Sequence, residues 1–309
     1  MRQAETFTFL SADQKTTIHV RGFLPPGEVR CWVQVAHGVA EHKERYDAFL
    51  QFLAEQGIAA FANDHLGHGQ SVYEEADRGF FTEKDGWNTL VRDMKTLHDL
   101  LTQRFPGLPR VLFGHSMGSF LGRTYVIQYP DDFSAAIFCG TGQQSPLLVA
   151  LGRCIAGLTA RCRGVRCHSE SLQNIVFGGY NKRIPHPRTP YDWLSCSEAN
   201  VDAYLADPLC GGISSVGLFR DMLWGIHFLS DKKNIRKIRK DLPILLIAGA
   251  QDPVGDYGKG PSLACDLYRA AGIRDVSLKL YEGDRHELLN EGDRDQVFWD
   301  LLSWMQAHL

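Results

Sequence analysis

Between Arg110 and Tyr129 the chain reads RVLFGHSMGSFLGRTYVIQY, and no other stretch restricts the fold as much. Arg110 to Phe113 is a short β-branched and aromatic run, Gly114-His115-Ser116-Met117-Gly118 interrupts it, and apolar residues at helical spacing lead on to Tyr129. The pattern is a strand, a sharp turn and a helix. A serine at the apex of such a turn is pushed out above the carboxyl end of a sheet, and the flanking positions must be glycine because side chains there would collide. The spacing G-x-S-x-G alone is weak, since ordinary glycine and serine usage produces it by chance. The strand before it and the helix after it make Ser116 a candidate nucleophile.

A chain of 309 residues with 44% apolar composition can bury the core of one large domain or two smaller ones. The formal net charge of −3 gives no sign of a polyanion partner, so nucleic-acid binding is not expected. The first twenty residues lack a basic stretch followed by an apolar run, and no segment reaches ~18 unbroken apolar residues, so a cytoplasmic chain is expected, neither secreted by a standard leader nor membrane-spanning. The eight cysteines are expected as free thiols in that setting. Cys162, Cys167 and His168 lack a C-x2-C pair and a second half-site, which argues against a metal there and for loosely buried thiols.

The first forty residues alternate in strand fashion (Thr6 to Leu10, Thr17 to Phe23, Cys31 to Val35), and βα units follow. Helical spacing covers Tyr46 to Gln56 and Trp87 to Phe105, with a buried strand at Ile58 to Ala62 between them. This grammar predicts an α/β fold with a mostly parallel sheet and helices on both faces. After the strand Ala135 to Cys139 the alternation stops for roughly a hundred residues, far beyond an ordinary loop, and resumes at Pro243 to Ala248. Residues 143–240 therefore form an inserted, mainly helical subdomain, with 1–142 and 241–309 as the core. A helix (Pro261 to Ala271), a strand (Val276 to Tyr281) and a last helix (Gln296 to Leu309) complete the chain.

A serine hydroxyl needs an imidazole to take its proton, and the imidazole needs a carboxylate to orient it. Asp252 follows the strand Pro243 to Ala248, and His286 follows the strand Val276 to Tyr281. Ser116, Asp252, His286 is the chain order that the serine turn predicts for a triad. The nearest competitors are Asp284 for the acid and His37, His68 or His115 for the base; His115 is expected to pack against sheet or helix. A tetrahedral intermediate also needs two backbone N–H donors, and the same logic points to Met117, after the serine, and Val39, after the third strand.

At these residues the chain resembles the α/β-hydrolase fold, and more narrowly the monoacylglycerol lipase and lysophospholipase-like serine hydrolases. The resemblance rests on His37-Gly38-Val39-Ala40-Glu41-His42 with Arg45-Tyr46, on Asp64-His65-Leu66-Gly67-His68-Gly69-Gln70-Ser71, and on Gly114 to Gly118. Ala40 stands where the family usually has a second glycine. By position the resemblance makes Ser116, Asp252 and His286 the triad and Val39 and Met117 the oxyanion donors; it gives Asp64 to Ser71 a bracing role and implies no cofactor.

The insertion occupies the slot of this family's cap, so acyl specificity is expected there. Trp193, Phe219, Leu223 and Trp224 are the cap's candidates for lining a substrate tunnel. The resemblance implies a small acyl ester as partner, a monoacylglycerol or lysophospholipid, and allows transient contact of the cap with a membrane or micelle surface. Six basic residues lie between Asp231 and Asp241 and are read as a solvated helix face, with an anionic lipid surface as the alternative. Two other readings stay open: a peptidase or amidase resembling the proline iminopeptidases, with Glu170, Glu198, Asp202 or Asp207 receiving a free amino terminus, and a non-catalytic receptor.

Overall fold

The computed structural model describes residues 3–309. Its centre is an eight-stranded sheet in the order β1-β2-β4-β3-β5-β6-β7-β8. Strands β1 (Glu5–Leu10) and β2 (Thr17–Phe23) form an antiparallel hairpin, and β2 runs antiparallel to β4 (Ile58–Asn63). Strands β3 (Cys31–Ala36), β4, β5 (Arg110–His115), β6 (Ala135–Cys139), β7 (Ile244–Gly249) and β8 (Val276–Tyr281) are all parallel. The chain steps outward from β3 to β4 and then returns to lay β5 on the other side of β3. Such a reversal opens a crevice beyond the carboxyl ends of the two inner strands, where open α/β sheets bind ligands.

Strand registers bring the later loops to that same edge. Ala36 pairs with Gly114, His115 with Cys139, Cys139 with Ile247 and Gly249 with Tyr281. The segments that follow β3, β5, β7 and β8 therefore all emerge at one end of the sheet.

The alternation of side chains divides the core between two faces. Val33, Val35, Val111, Phe113, Leu245 and Ile247 point to one side, under α1 (Asp47–Glu55) and α10 (Arg294–His308). Trp32, Ala36, Leu112, Ile244 and Leu246 point to the other, under α2 (Gly86–Arg104), α3 (Met117–Gln128) and α9 (Lys259–Ala270). Gln34 is the polar exception within β3, and its amide donates to the Met94 carbonyl at 2.9 Å.

Between β6 and β7 lie α4 (Pro146–Arg163), α5 (Glu170–Phe177), α6 (Glu198–Ala206), α7 (Val216–Ser230) and the single turn α8 (Lys232–Ile235). Ser169, Ser197 and Ser215 cap α5, α6 and α7, each hydroxyl accepting an N–H from the first turn. The basic run is thus not a continuous helix face. It is one helical turn followed by a bend, with Lys232, Lys233, Arg236 and Lys237 exposed. All eight thiols are free, as expected; of the two read as loosely buried, Cys167 is half-buried but Cys162 is exposed. No helix of the described residues is long and apolar enough to cross a membrane.

The inserted helices, here called the cap, are joined to the core through a buried arginine and a glycine contact. Arg123 donates to Tyr268 Oη, Thr141 Oγ1, the Gly142 carbonyl and Gln143 Oε1, and Gln143 in turn donates to Ser230 Oγ. Both ends of the insertion are thereby tied to α3. Further along α7, Gly225 lies against Trp87 of α2; a Cβ at 225 would stand 2.1 Å from the indole, which Thr124 holds by a 3.1 Å hydrogen bond. Gly225→Ala is therefore expected to lower stability by about 1–3 kcal/mol, as overpacking does. Gly157→Ala, with nothing within 4 Å of its Cβ on α4, is expected to hold or raise it by up to about 1 kcal/mol. Urea unfolding midpoints of the two variants check the contrast.

Candidate active site

The turn after β5 forces Ser116 into φ 53°, ψ −120°, a backbone state that side-chain-bearing residues rarely adopt. Its flanks show why glycine is required: a Cβ on Gly114 would lie 2.4 Å from the Gly118 carbonyl oxygen, and one on Gly118 would lie 2.1 Å from that of Ala36. The strained turn is held by the Ser116 N–H on the Cys139 carbonyl at 3.0 Å and by two amides of α3 on the Ser116 carbonyl. Ser116 sits at the N-cap of α3, yet its hydroxyl makes no capping bond. That oxygen is not used in capping and lies above the positive end of the helix.

Asp252 and His286, thirty-four positions apart, meet at the ends of β7 and β8. His286 Nδ1 lies 2.9 Å from Asp252 Oδ2, and both side chains are buried. Asp252 Oδ1 accepts the Val254 N–H at 2.8 Å, which fixes the carboxylate with Oδ2 toward the ring. Burial pulls the His286 imidazole down from its ordinary range, but the charge and hydrogen bond of Asp252 outweigh it and raise the group overall. Asp284 has a different environment: burial, with Asp293 and Glu291 nearby, pushes its carboxyl up to about 7.

The competing histidines are otherwise engaged. His37 Nε2 accepts the His65 N–H at 2.9 Å, so its proton sits on Nδ1 and is donated to the Gly38 carbonyl at 2.7 Å. Burial and then the neighbouring His65 and His68 hold His37 well below the usual imidazole range. Burial likewise depresses His65 to about 3 and His68 to about 4. His115 does not simply pack on sheet or helix: its ring centroid is 4.7 Å from that of His286. Burial, followed by the charge of His286, lowers His115 strongly.

The loop after β3 lies alongside the serine. A Cβ on Gly38 would stand 3.1 Å from Ser116 Cβ, so the loop that carries Val39 runs beside the serine turn, and Met117 is the first residue of α3 after it. Ala40, in place of the resembling family's glycine, keeps a left-handed φ of 55°. Its carbonyl accepts the Tyr204 hydroxyl and the Gly211 N–H, both from the cap and both at 2.9 Å. Beneath this loop, the Asp64 carboxylate gathers Lys43 Nζ, the Lys43 N–H and the Gln70 N–H within 2.9 Å.

A buried charge network links these pieces, and sequence reasoning missed it. Glu41 Oε1 accepts the Gly38 N–H and the Tyr46 hydroxyl, while its other oxygen pairs with Arg45 Nε at 3.3 Å. Arg45 Nη2 reaches Glu287 Oε2 at 2.5 Å and Asn200 Oδ1 of the cap at 3.2 Å. Its guanidinium lies over the Tyr204 ring, 5.0 Å from the centroid. Burial, then Glu287, raises the Glu41 carboxyl, and Arg45 opposes that rise. The available signal was Glu41 and Arg45 four positions apart beside a strand end, together with Glu287 directly after a candidate base.

Of the cap candidates, Trp193 has its ring centroid 5.2 Å from that of His286. Phe177 stacks on Trp193 at 6.3 Å and meets Phe219 at 6.1 Å, so a row of rings runs from α7 to the imidazole. Leu223 packs on Gly152 of α4. Trp224 lines a groove of about 820 Å³ with Gly86, Trp87, Ala150 and Arg153, whose walls include none of Ser116, Asp252 and His286.

The parallel sheet with its order reversal, the strained serine turn and the strand-end histidine and aspartate define a serine hydrolase of the α/β-hydrolase fold. The chain belongs to the family described as "Serine aminopeptidase, S33", whose model matches residues 27–293. It is 30% identical to a monoacylglycerol lipase of Mycolicibacterium smegmatis over 92% of this chain and 91% of that one. It is 29% identical to the human monoglyceride lipase, over 92% and 85%. Among solved structures it superposes on a thermostable carboxyl esterase from Bacillus coagulans, solved with glycerol, with a TM-score of 0.93, 29% identity and 100% and 99% coverage.

Arg45→Ala would leave Glu41 and Glu287 buried without their cation. The expected loss is about 3–5 kcal/mol of stability, the usual cost of breaking a buried pair, read as a lower urea midpoint. Arg45→Lys, which keeps the charge but not the fork, is expected to lose less.

Proposed function

We propose that this protein hydrolyses single-chain acyl esters, monoacylglycerols foremost, through an acyl-enzyme on Ser116. The observation that carries the reading is the buried His286–Asp252 bond at the strand ends beside the strained serine turn. In this reading His286 Nε2 takes the Ser116 proton as the hydroxyl attacks the ester carbonyl, and Asp252 holds the ring and balances its charge. The amides of Val39 and Met117 receive the oxyanion. His286 then protonates the leaving alcohol and activates water to free the acid. The names of the M. smegmatis and human relatives support a monoacylglycerol as substrate, and the glycerol in the B. coagulans esterase structure is consistent with its leaving group. The ring row from Phe219 through Phe177 to Trp193 supports an acyl chain running beneath the cap toward His286.

The family description also names an aminopeptidase, which would need a free carboxylate for the substrate's ammonium. Asp202 already pairs with Arg188 at 2.7 Å, with Glu198 beside it, and Asp207 pairs with His42. Ester cleavage is the better supported of the two.

Ser116→Ala is expected to abolish turnover of a monoacylglycerol and labelling by a fluorophosphonate probe. Asp252→Asn is expected to lower kcat by roughly 10⁴-fold, as loss of the orienting acid does elsewhere. Because the base must be neutral and its pKa is raised, kcat/KM is expected to fall on acidification through a midpoint above the ordinary imidazole value of about 6.5. Retained activity in Ser116→Ala, or a profile flat from pH 6 to 8, contradicts this assignment.

We further propose that α4 meets the lipid surface holding the substrate. Leu147, Leu148, Leu151 and Leu158 lie along one face of α4 and are all more than half exposed, Leu147 at 81%, while Val149 and Ala156 on the other face are buried. Apolar side chains on an amphipathic helix bind interfaces in this way. Leu147→Asp with Leu151→Asp is expected to weaken sedimentation with phosphatidylcholine vesicles by about tenfold or more, given ~1.5–3 kcal/mol per buried leucine. Hydrolysis of a water-soluble aryl ester should be unaffected.

A further inference from the structure

His42, Asp207 and Cys210 lie far apart in the chain, yet their side chains converge where the cap meets the loop after β3. A ring nitrogen of His42, a carboxylate oxygen of Asp207 and Cys210 Sγ all lie within 4.8 Å of one another. His42 is buried, whereas Asp207 and Cys210 are half-buried and open to solvent. Imidazole, carboxylate and thiolate together are a donor set that zinc accepts, with a water completing a tetrahedron. We propose that these three residues form a site for a zinc-class divalent ion, which clamps the cap onto the Val39 loop and slows turnover.

The surroundings are built for the purpose on the Asp207 side. Asp207 Oδ1 is occupied by the Leu209 N–H at 2.8 Å, and the Cys210 N–H returns to the Asp207 carbonyl at 3.0 Å. This tight turn, with Pro208 inside it, presents Oδ2 and Sγ together and leaves Oδ2 facing His42 at 2.8 Å. Tetrahedral zinc with bonds of about 2.0–2.3 Å needs donor separations of roughly 3.2–3.8 Å. The ion therefore replaces the His42–Asp207 hydrogen bond by a small opening of that pair and a closing of Cys210 onto both.

Proton balance follows from the donors. A neutral His42 keeps its proton by carrying it on Nδ1, and Cys210 releases one proton to solvent on forming the metal–thiolate bond. The charged groups around Cys210 are Arg45 on one side and Glu41, Glu287 and Asp207 on the other, so a dication enters a neighbourhood with excess negative charge.

The mechanical consequence comes from sequence proximity. His42 lies two residues beyond Ala40, whose carbonyl already accepts Gly211 N–H and Tyr204 Oη from the cap. A metal bond from Cys210 to His42 turns these hydrogen bonds into one rigid junction beside Val39. The slowing of turnover rests on the oxyanion role given to Val39; metal binding does not.

Cobalt titration of the apo protein tests binding directly, because a cobalt–thiolate bond absorbs in the near ultraviolet. The wild type is expected to show that band at one equivalent, and Cys210→Ser to lose it while the exposed Cys154, Cys162 and Cys196 remain. Zinc is expected to raise the melting temperature of the wild type and to slow its hydrolysis of a soluble aryl ester at least several-fold, reversibly with EDTA. Cys210→Ser should show neither response and keep the metal-free rate. A missing band, or one of equal strength in Cys210→Ser, overturns the site. A Cys210-dependent band without slowed turnover overturns the clamp.

Discussion

One guanidinium, buried between two carboxylates, holds together the loop beside Ser116, the loop that carries His286 and the cap. Arg45 pairs with Glu41 and with Glu287. Glu41 fixes the Gly38 amide in the loop beside Ser116, and Glu287 follows His286 directly. Taking such groups out of water is costly, and the cost is offset only when the remaining lone pairs find donors. Here they do: Tyr46 serves Glu41, Asn200 serves Glu287, and the Tyr204 ring covers the cation. The loop after β3, the loop after β8 and the cap therefore keep their relative positions or lose them together.

The sheet supplies the coarse alignment that this network refines. Parallel strands in the registers seen here bring four loops to one edge, but backbone pairing leaves side chains on those loops free by several ångströms. A triad of the kind proposed needs far tighter placement than that. Asp252 is oriented by its own Val254 amide, His286 by Asp252, and Ser116 by a turn that only glycine neighbours permit. Local hydrogen bonds within each loop thus complete what the strands begin.

Legibility in the sequence followed the range of the interactions. The strands, the serine turn and the long helices were readable because periodicity and glycine placement are local signals, and the hundred-residue break marked the insertion. The pairing of Asp252 with His286 could be anticipated because both stand just past strand ends in a known chain order. The extent of α8 was misjudged because a run of lysines and arginines carries no stop signal, and its Ile235 and Ile238 turn inward at a bend. Local periodicity puts His115 against sheet or helix, whereas its nearness to His286 depends on the end of β5 and the loop after β8 meeting at one edge of the sheet. Arg45–Glu287 and His42–Asp207–Cys210 span 242 and 165 or more positions, and no spacing rule reaches that far. For Trp193, Phe219, Leu223 and Trp224 composition could nominate aromatic and aliphatic residues but not say which of them faces the imidazole.

Of the seven buried histidines among the described residues, five have a shifted pKa, and the fold distinguishes these five by partner rather than by position. His37, His65, His68 and His115 are all depressed, with burial as the largest cause. His286 is the member of the group bonded to a buried carboxylate, and it alone is raised. An imidazole with a depressed pKa is a poor proton acceptor, while one braced by a carboxylate accepts a proton and holds the resulting charge. The neutral histidines can then pack ring to ring, His37 against His65 and His115 against His286, without like-charge repulsion. The Asp252 carboxylate at the end of β7 is what sets His286 apart from the four depressed histidines.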